Sequence, residues 1–292
     1  MNLLEASEQG NLKEIKHLLE NGSNVNEENR RGEYALLLAI RGGHIDIVKF
    51  LLENGAKIKK RCEFAMHDTL LSEASARGYI KIVQLLLENG ANVNERGVNE
   101  GTALMRASDE GHTEIVKLLL ANGADANAKT IGGGLVALMF ASIKGHYEIA
   151  KLLLENGADV DTMECNGNTS LMLASMCGKT AVVNLLLDAG ADVNEQRKDC
   201  TTALMQASER GYIDIVRLLL DEDAYVGVKN KDGMTALMFA SQNGHIKIVK
   251  MLLENGAKKN TRNWRGMTAL MLANKQGHAE IVEFLKQNNP KA

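Results

Sequence analysis

Hydrophobic and polar positions alternate along the chain in blocks of nearly fixed length, and each block predicts two short helices separated by a polar break. The stretch from Thr102 to Asn127 shows one block cleanly. Thr102-Ala103-Leu104-Met105-Arg106-Ala107-Ser108 predicts a short helix. Its threonine suits an N-cap, because the hydroxyl accepts from an otherwise unsatisfied backbone N–H. Glu110-Gly111-His112 breaks that helix, and Glu114-Ile115-Val116-Lys117-Leu118-Leu119-Leu120 predicts a second. Apolar residues cover more than one narrow stripe of the second helix, the pattern of a helix packed on both sides. Asn122-Gly123 ends it, since glycine takes the left-handed C′ conformation without penalty. Ala124-Asp125-Ala126-Asn127 then leads into a polar turn.

The break recurs at Gly10, Gly43, Gly78, Gly111, Gly145, Gly178, Gly211, Gly244 and Gly277, at intervals of 33, 35, 33, 34, 33, 33, 33 and 33. Each of these glycines is followed by histidine or by Asn11, Tyr79, Lys179 or Tyr212 in its place. One pair of helices this short cannot bury its own apolar faces, whereas stacked copies can, provided there are at least about three. The expectation is an all-α array of nine stacked helix-turn-helix units forming one domain over residues 1–289. Its first and last units would act as caps, with 290–292 as a tail. The lone proline is Pro290, so glycine and polar residues must stop the helices.

The order Thr-Ala-Leu-Met, Gly-His, Ile-Val-x-Leu-Leu-Leu and Gly-Ala-Asp-Val-Asn resembles the ankyrin repeat, whose period is about 33. The resemblance runs from Met1 to about Asn289. It implies a solenoid with protruding β-hairpin fingers and a concave face built from fingers and first helices. It also implies a protein-binding function. Departures stand beside the match. Thr-Pro-Leu-His becomes Thr-Ala-Leu-Met in the units of Met105, Met205, Met238 and Met271, exchanging histidine's hydrogen bonds for adaptable apolar packing. At Asp221-Glu222-Asp223-Ala224-Tyr225 the helix-ending glycine is missing. Aspartate tolerates the left-handed region less well, which makes Asp223 a candidate weak point. Extra residues fall within 57–68 and 128–135, and insertions in solenoids usually lie in loops on one face.

Composition narrows the function classes. The chain has 292 residues, 45% of them apolar, and a formal net charge of -3. Nothing in that balance points to nucleic acid or to an acidic membrane. No run approaches the roughly 18 to 20 apolar residues of a membrane span. Met1-Asn2-Leu3-Leu4-Glu5 meets a carboxylate too early for a secretory signal. Cys62, Cys165, Cys177 and Cys200 form no Cys-x-x-Cys pair, which fits a reducing compartment. The expected location is cytoplasmic, with nuclear placement or delivery into a host cell left open.

Candidate chemistry is thin. His44, His112, His146, His245 and His278 share one repeat position, so they recede from one another along the stack and are expected to be structural turn residues. Cys165, Cys177 and Cys200 fall in neighbouring units without ligand spacing and are expected to be ordinary thiols. Gly132-Gly133-Gly134 lacks the Gly-Lys-Ser/Thr ending of a phosphate cradle and predicts a flexible finger. Met105, Met139, Met172, Met205, Met238 and Met271 stand one repeat apart, which predicts core filler. No nucleophile, base or metal set converges, so no enzyme, no metal and no cofactor are expected.

The leading reading is a scaffold or adaptor, expected to be monomeric, that holds another protein. The alternative is recognition of RNA or a phosphorylated small ligand by basic fingers, suggested by the Lys57–Arg61 cluster and by Lys258, Lys259, Arg262 and Arg265. Against the ankyrin pattern, finger positions include Arg30, Arg31, Arg96, Met163, Arg197, Lys198, Lys231, Trp264 and Arg265. The exposed end of the first helix offers Arg41, Arg77, Lys144, Met176, Arg210, Gln242 and Lys275. Two readings of Trp264 stay open, a binding hot spot or packing on the adjacent finger.

Overall fold

The computed structural model describes residues 1–58, 68–97 and 101–287. Among them the chain forms eighteen α-helices and no strand. They divide between two compact units, Met1–Phe140 with Glu155–Ala158, and Ala141–Leu154 with Asp159–Ala292. The first contains α1 (Leu3–Glu8), α2 (Leu12–Glu20), α3 (Ala35–Arg41), α4 (Ile45–Glu53), α5 (Leu70–Ala76), α6 (Ile80–Glu88), α7 (Ala103–Glu110) and α8 (Thr113–Ala121). The dividing line falls within α9 (Ala137–Lys144) and α10 (Tyr147–Glu155). The second contains α11 (Ser170–Met176), α12 (Thr180–Asp188), α13 (Ala203–Arg210), α14 (Ile213–Asp221), α15 (Ala236–Gln242), α16 (Ile246–Glu254), α17 (Ala269–Lys275) and α18 (Ala279–Gln287).

Within each unit odd helices stack on odd and even on even. In the first, α1, α3, α5 and α7 follow one another, with α4, α6 and α8 beside them. In the second, α11, α13, α15 and α17 form one layer and α12, α14, α16 and α18 the other. Odd helices are hemmed in by both layers, so α3 is buried from Ala35 to Ile40. Even helices bury one face only, as Ile115, Val116 and Leu119 of α8 or Ile215, Val216 and Leu219 of α14 show. Burying such a side chain contributes about 1.5–3 kcal/mol, and each depends on the neighbouring helix pair.

Threonine caps α5, α7, α11, α13, α15 and α17: Thr69, Thr102, Thr169, Thr202, Thr235 and Thr268 each accept from the backbone N–H three residues on, while Asn2 caps α1 and Tyr34 gives α3 no side-chain cap. Met105 contributes more than packing, because its Sδ accepts from the Thr102 N–H at 3.5 Å. Five of the six aligned methionines are buried, but Met271 is 41% exposed. It lies on α17, which packs on α15 among the described helices.

The Gly-His break has a job that spacing alone does not show. His44 Nε2 lies 3.0 Å from the carbonyl of Glu8, His112 Nε2 3.0 Å from Ala76 O, His245 Nε2 3.1 Å from Glu209 O and His278 Nε2 3.0 Å from Gln242 O. A carbonyl only accepts, so Nε2 carries the proton and donates to the end of the preceding odd helix. The even helices α4, α8 and α16 accordingly gain no side-chain cap from their own histidine. Each ring lies flat over the preceding glycine. A Cβ on Gly211, where φ is +82°, would stand 2.6 Å from His245 Cε1. Tyr79, Lys179 and Tyr212 cover Gly43, Gly145 and Gly178 in the same way.

A second clip joins the loops. Asn26 accepts from Lys57 N and donates to Gly55 O, at 2.9 and 3.0 Å. Asn94 makes the same pair with Asp125 N and Gly123 O, and Asn194 with Tyr225 N and Asp223 O. The missing glycine is confirmed as a strained position, since Asp223 adopts φ +58°; Cys200, in a finger, adopts φ +62°.

Where hairpin fingers are expected, the described residues show tight loops. One antiparallel bridge, Glu28 with Tyr34, occurs among them. The later loops close by a pair of backbone bonds, such as Asn230 N to Met234 O at 3.0 Å with Gly233 N to Asn230 O at 2.8 Å, and Asn263 N to Met267 O at 3.0 Å with Gly266 N to Asn263 O at 2.9 Å. The side-chain oxygen of Asn230 takes the N–H groups of Asp232 and Met234, and that of Asn263 takes Arg265 and Met267. These self-contained turns leave little backbone to build a ladder. Most of the insertion at 57–68 and all of Cys62 lie outside the described residues, as does the 290–292 tail. In the other insertion, Gly132 and Gly134 take φ of +77° and +69° within a loop closed by Thr130 N to Leu135 O at 2.9 Å.

Two outcomes follow for stability measured by urea unfolding. Gly211→Ala costs about 3 kcal/mol in the native background but only about 1–2 kcal/mol beside His245→Ala, where backbone strain remains and the ring clash is gone. Equal costs in both backgrounds would disprove the ring contact. Asp223→Gly and Cys200→Gly each raise stability by about 0.5–1 kcal/mol, by relieving a left-handed non-glycine residue.

Candidate partner-binding surface

The candidate residues divide by compact unit and by what already engages them. In the first unit Arg30, Arg31, Arg77 and Arg96 are exposed and Arg41 is half-buried. Arg41 bonds Glu33 at 3.0 Å and reaches Glu73 at 3.4 Å, while Arg77 pairs with the same Glu73 at 2.9 Å. Arg96 donates to the Lys129 carbonyl at 2.5 Å, bridging two fingers. Arg31 and Arg41 share a recess of about 590 Å3 with Glu5, Glu8, Glu27, Glu28 and Glu33. These arginines offset the chain's own carboxylates. The hydrogen bond from Asn29 and the nearby Arg41 and Arg31 charges hold the Glu33 carboxyl below its ordinary range, against opposition from desolvation.

A neighbouring feature of the first unit escapes the residue-by-residue reading. Ile131, 69% exposed, overhangs a recess of about 330 Å3 with Met105, Leu135, Phe140, Arg106 and Asp109. Arg106 is tied to Asp68 across this face. The available signal was an isoleucine placed at a finger tip just before three glycines.

In the second unit Lys144, Met163, Lys198, Arg210, Lys231, Trp264, Arg265 and Lys275 are exposed, and Met176, Arg197 and Gln242 are half-buried. Consecutive tips are stitched together. Lys198 N donates to Asn166 O at 3.0 Å, Lys231 N to Asp199 O at 2.8 Å and Trp264 N to Asp232 O at 3.2 Å. Cys165, Lys198, Lys231 and Trp264 therefore stand at one register position in four successive fingers. Arg197 faces Asp199 at 3.4 Å. Lys198, Lys231 and Arg265 make no ion pair among the described residues.

Trp264 packs on the adjacent finger. Its Nε1 donates to Lys231 O at 2.7 Å, and Lys229 Nζ lies 5.1 Å from the ring centroid. The residue nevertheless remains 69% exposed. It is an aromatic surface already fixed in place, so binding it would cost little ordering.

The tip of the Cys165 finger is shaped by Glu164. Its Oε1 accepts from Asn168 N and Nδ2 at 3.0 and 2.7 Å, and its Oε2 accepts from Cys165 Sγ at 3.1 Å. Desolvation opposes ionisation, but hydrogen bonds from Asn166, Cys165 and Asn168 outweigh it and hold the carboxyl at about 2, below its usual 4.5. The same bond, with desolvation and the Glu164 charge adding to it, pushes the Cys165 thiol above its ordinary range. A thiol held protonated is a poor nucleophile and a poor metal ligand. Among the described residues no three His, Cys, Asp or Glu side chains gather as a metal site, and no helix is long and apolar enough to cross a membrane.

Because the folded Glu164 pKa lies below the unfolded one, its contribution is present above about pH 4.5 and is lost as pH falls toward 2. Glu164→Gln is expected to lower stability at pH 7 by about 1–2 kcal/mol after solvent screening. The gap between wild type and variant should close through that window in chemical unfolding; a gap independent of pH would exclude the ionised carboxylate as its source.

Comparison with known proteins agrees with this architecture. A family profile described as ankyrin repeats (3 copies) matches residues 3–97, 68–130, 104–197 and 204–292. A second, described as ankyrin repeats (many copies), matches 178–220. No curated protein matches the chain. Profiles that cover most of its length, on helix pairs stacked at a 33-residue period, show that the chain belongs to the ankyrin repeat family.

Proposed function

We propose that this chain is a protein-binding scaffold or adaptor, monomeric and cytoplasmic, which holds a macromolecular partner on its finger tips and on the ends of its odd-numbered helices and catalyses no reaction. In this reading the eighteen helices make nine stacked units, and their loops act as the fingers, with the Glu28–Tyr34 bridge the nearest approach to a hairpin. Ankyrin repeats generally mediate protein–protein interaction, and that general role supports the reading. The observation that carries it is the second unit's row of tips, whose backbones are hydrogen-bonded in tandem while the exposed Lys198, Lys231 and Arg265 make no ion pair among the described residues. A surface ordered in advance and left unengaged suits a partner that pays no ordering entropy to it.

The remaining candidates extend the surface along the helix ends: Lys144, Met176, Arg210, Gln242 and Lys275 in the second unit, and Arg30, Arg31, Arg41, Arg77 and Arg96 in the first. Met163 is 38% exposed and supplies an adaptable apolar contact beside the Cys165 tip. Recognition of RNA or of a phosphorylated small ligand gains no observation of its own, because basic side chains alternate with Asp199 and Asp232 along the tips.

Affinity purification from the native cell, followed by mass spectrometry, tests the proposal. Wild type is expected to retain a protein in stoichiometric amount. Arg210→Ala with Lys275→Ala should weaken that complex about tenfold while circular dichroism melting stays within about 3 °C. Retention of nothing above background, or equal retention by the double variant together with a Trp264→Ala variant, would overturn it.

A further inference from the structure

We infer that the tip row of the second compact unit is a docking strip for a polyproline-type peptide segment that carries carboxylates at positions i and i+3 and a proline or other apolar ring at i+6. The inference rests on the protein-binding reading above and names the chemistry of the partner.

The strip is defined by register. Lys198, Lys231 and Trp264 are 33 residues apart, and the bonds Lys198 N to Asn166 O, Lys231 N to Asp199 O and Trp264 N to Asp232 O hold their three loops side by side. Successive tips are thus separated by one repeat, and packed helices in such stacks lie about 8–10 Å apart. A polyproline II segment has three residues per turn and a rise of about 3.1 Å per residue, so i, i+3 and i+6 lie on one edge at steps of about 9 Å. The two periods match. A flat β-strand does not fit, because its i and i+3 side chains point to opposite faces.

Chemistry assigns the three positions. Lys198 and Lys231 are exposed and make no ion pair among the described residues, so each can take one carboxylate. At the third position the indole is fixed by its bond to Lys231 O at 2.7 Å and by Lys229 Nζ at 5.1 Å from its centroid. Its exposure of 69% leaves a ring surface for a proline, the contact that aromatic-lined grooves make with polyproline ligands. Interleaved acids argue for spaced carboxylates over a polyanion. Asp199 is held by Arg197 at 3.4 Å, and Asp232 lies exposed between Lys231 and Trp264. A phosphodiester backbone would meet these carboxylates, whereas a peptide with neutral residues between its charges passes them.

Trp264 is the only tryptophan in the chain, so its fluorescence reports on the strip in the intact protein. The probe is a synthetic peptide free of tryptophan that contains Glu-Pro-Ala-Glu-Pro-Ala-Pro, tested also in reversed order. One of the two is expected to give a saturable change in emission. A peptide of equal composition with its glutamates two residues apart should bind about fivefold more weakly, and Lys198→Glu with Lys231→Glu should weaken the probe about tenfold. The double variant should melt as wild type does; if it does not, Lys231→Gln alone, expected to weaken the probe about threefold, replaces it. No saturable change with either peptide order, equal affinity for both glutamate spacings, or tighter binding of a single-stranded RNA decamer would overturn the inference. If a native partner is retained undiminished by Lys198→Glu/Lys231→Glu but lost by Arg210→Ala/Lys275→Ala, this strip is refuted and the scaffold function stands.

Discussion

One contact recurs between successive repeats: a side chain lies on the glycine that ends the first helix of the repeat before it, at Gly10, Gly43, Gly78, Gly145, Gly178, Gly211 and Gly244. The glycine must have no Cβ, because its φ is positive and because the ring already occupies the space, as Gly211 under His245 shows. Histidine does this best, since the ring that fills the space also donates to a carbonyl left open at the helix end. Tyrosine and lysine fill the space at Gly43, Gly178 and Gly145. The spacing of glycines along the sequence is the projection of that contact onto one dimension. The contact spans 34 residues from Gly10 to His44 and 36 from Gly43 to Tyr79, so extra residues in the intervening loop leave it in place.

Much of the fold was legible for a physical reason: its forces are local. Threonine caps, the Gly111 and Gly123 terminators and the Ile115-Val116-Leu119 face all act within a few residues, so they leave a pattern that can be read directly. Asp223 was identifiable as a left-handed residue because a glycine was missing from its place. Cys200 carried the same signal, standing where Gly167 and Gly233 stand in adjacent fingers, but it shows only when the fingers are aligned with each other. The histidine bonds were not legible, because their partners are carbonyls 36 residues away and every residue has a carbonyl. Met271 misled for the opposite reason: its neighbours in sequence match those of Met238, and only its neighbours in space differ.

The surface was harder to read than the core. Charge on a side chain says nothing of whether that charge is already answered, and Arg41, Arg77 and Arg197 prove to be answered by Glu33, Glu73 and Asp199. Lys198 and Lys231 are basic too and make no ion pair among the described residues. Lys198 follows Arg197, which pairs with Asp199, whereas the Lys231 tip is closed from within by Asn230, whose side chain takes up the N–H groups of Asp232 and Met234. That internal closure turns the tip outward and leaves its next residue facing water. The 33-residue step from Lys198 to Lys231 to Trp264 was visible in the sequence; that their loops touch was not.

The ring-on-glycine bond also has a direction. The imidazoles of His44, His112, His245 and His278 each reach back to a residue that precedes them. A ribosome releases the chain in that same order, so each of these four repeats finds its acceptor already synthesised. The array can thus close behind the exit tunnel one turn at a time, and its apolar faces need not wait in water for a distant segment to be made.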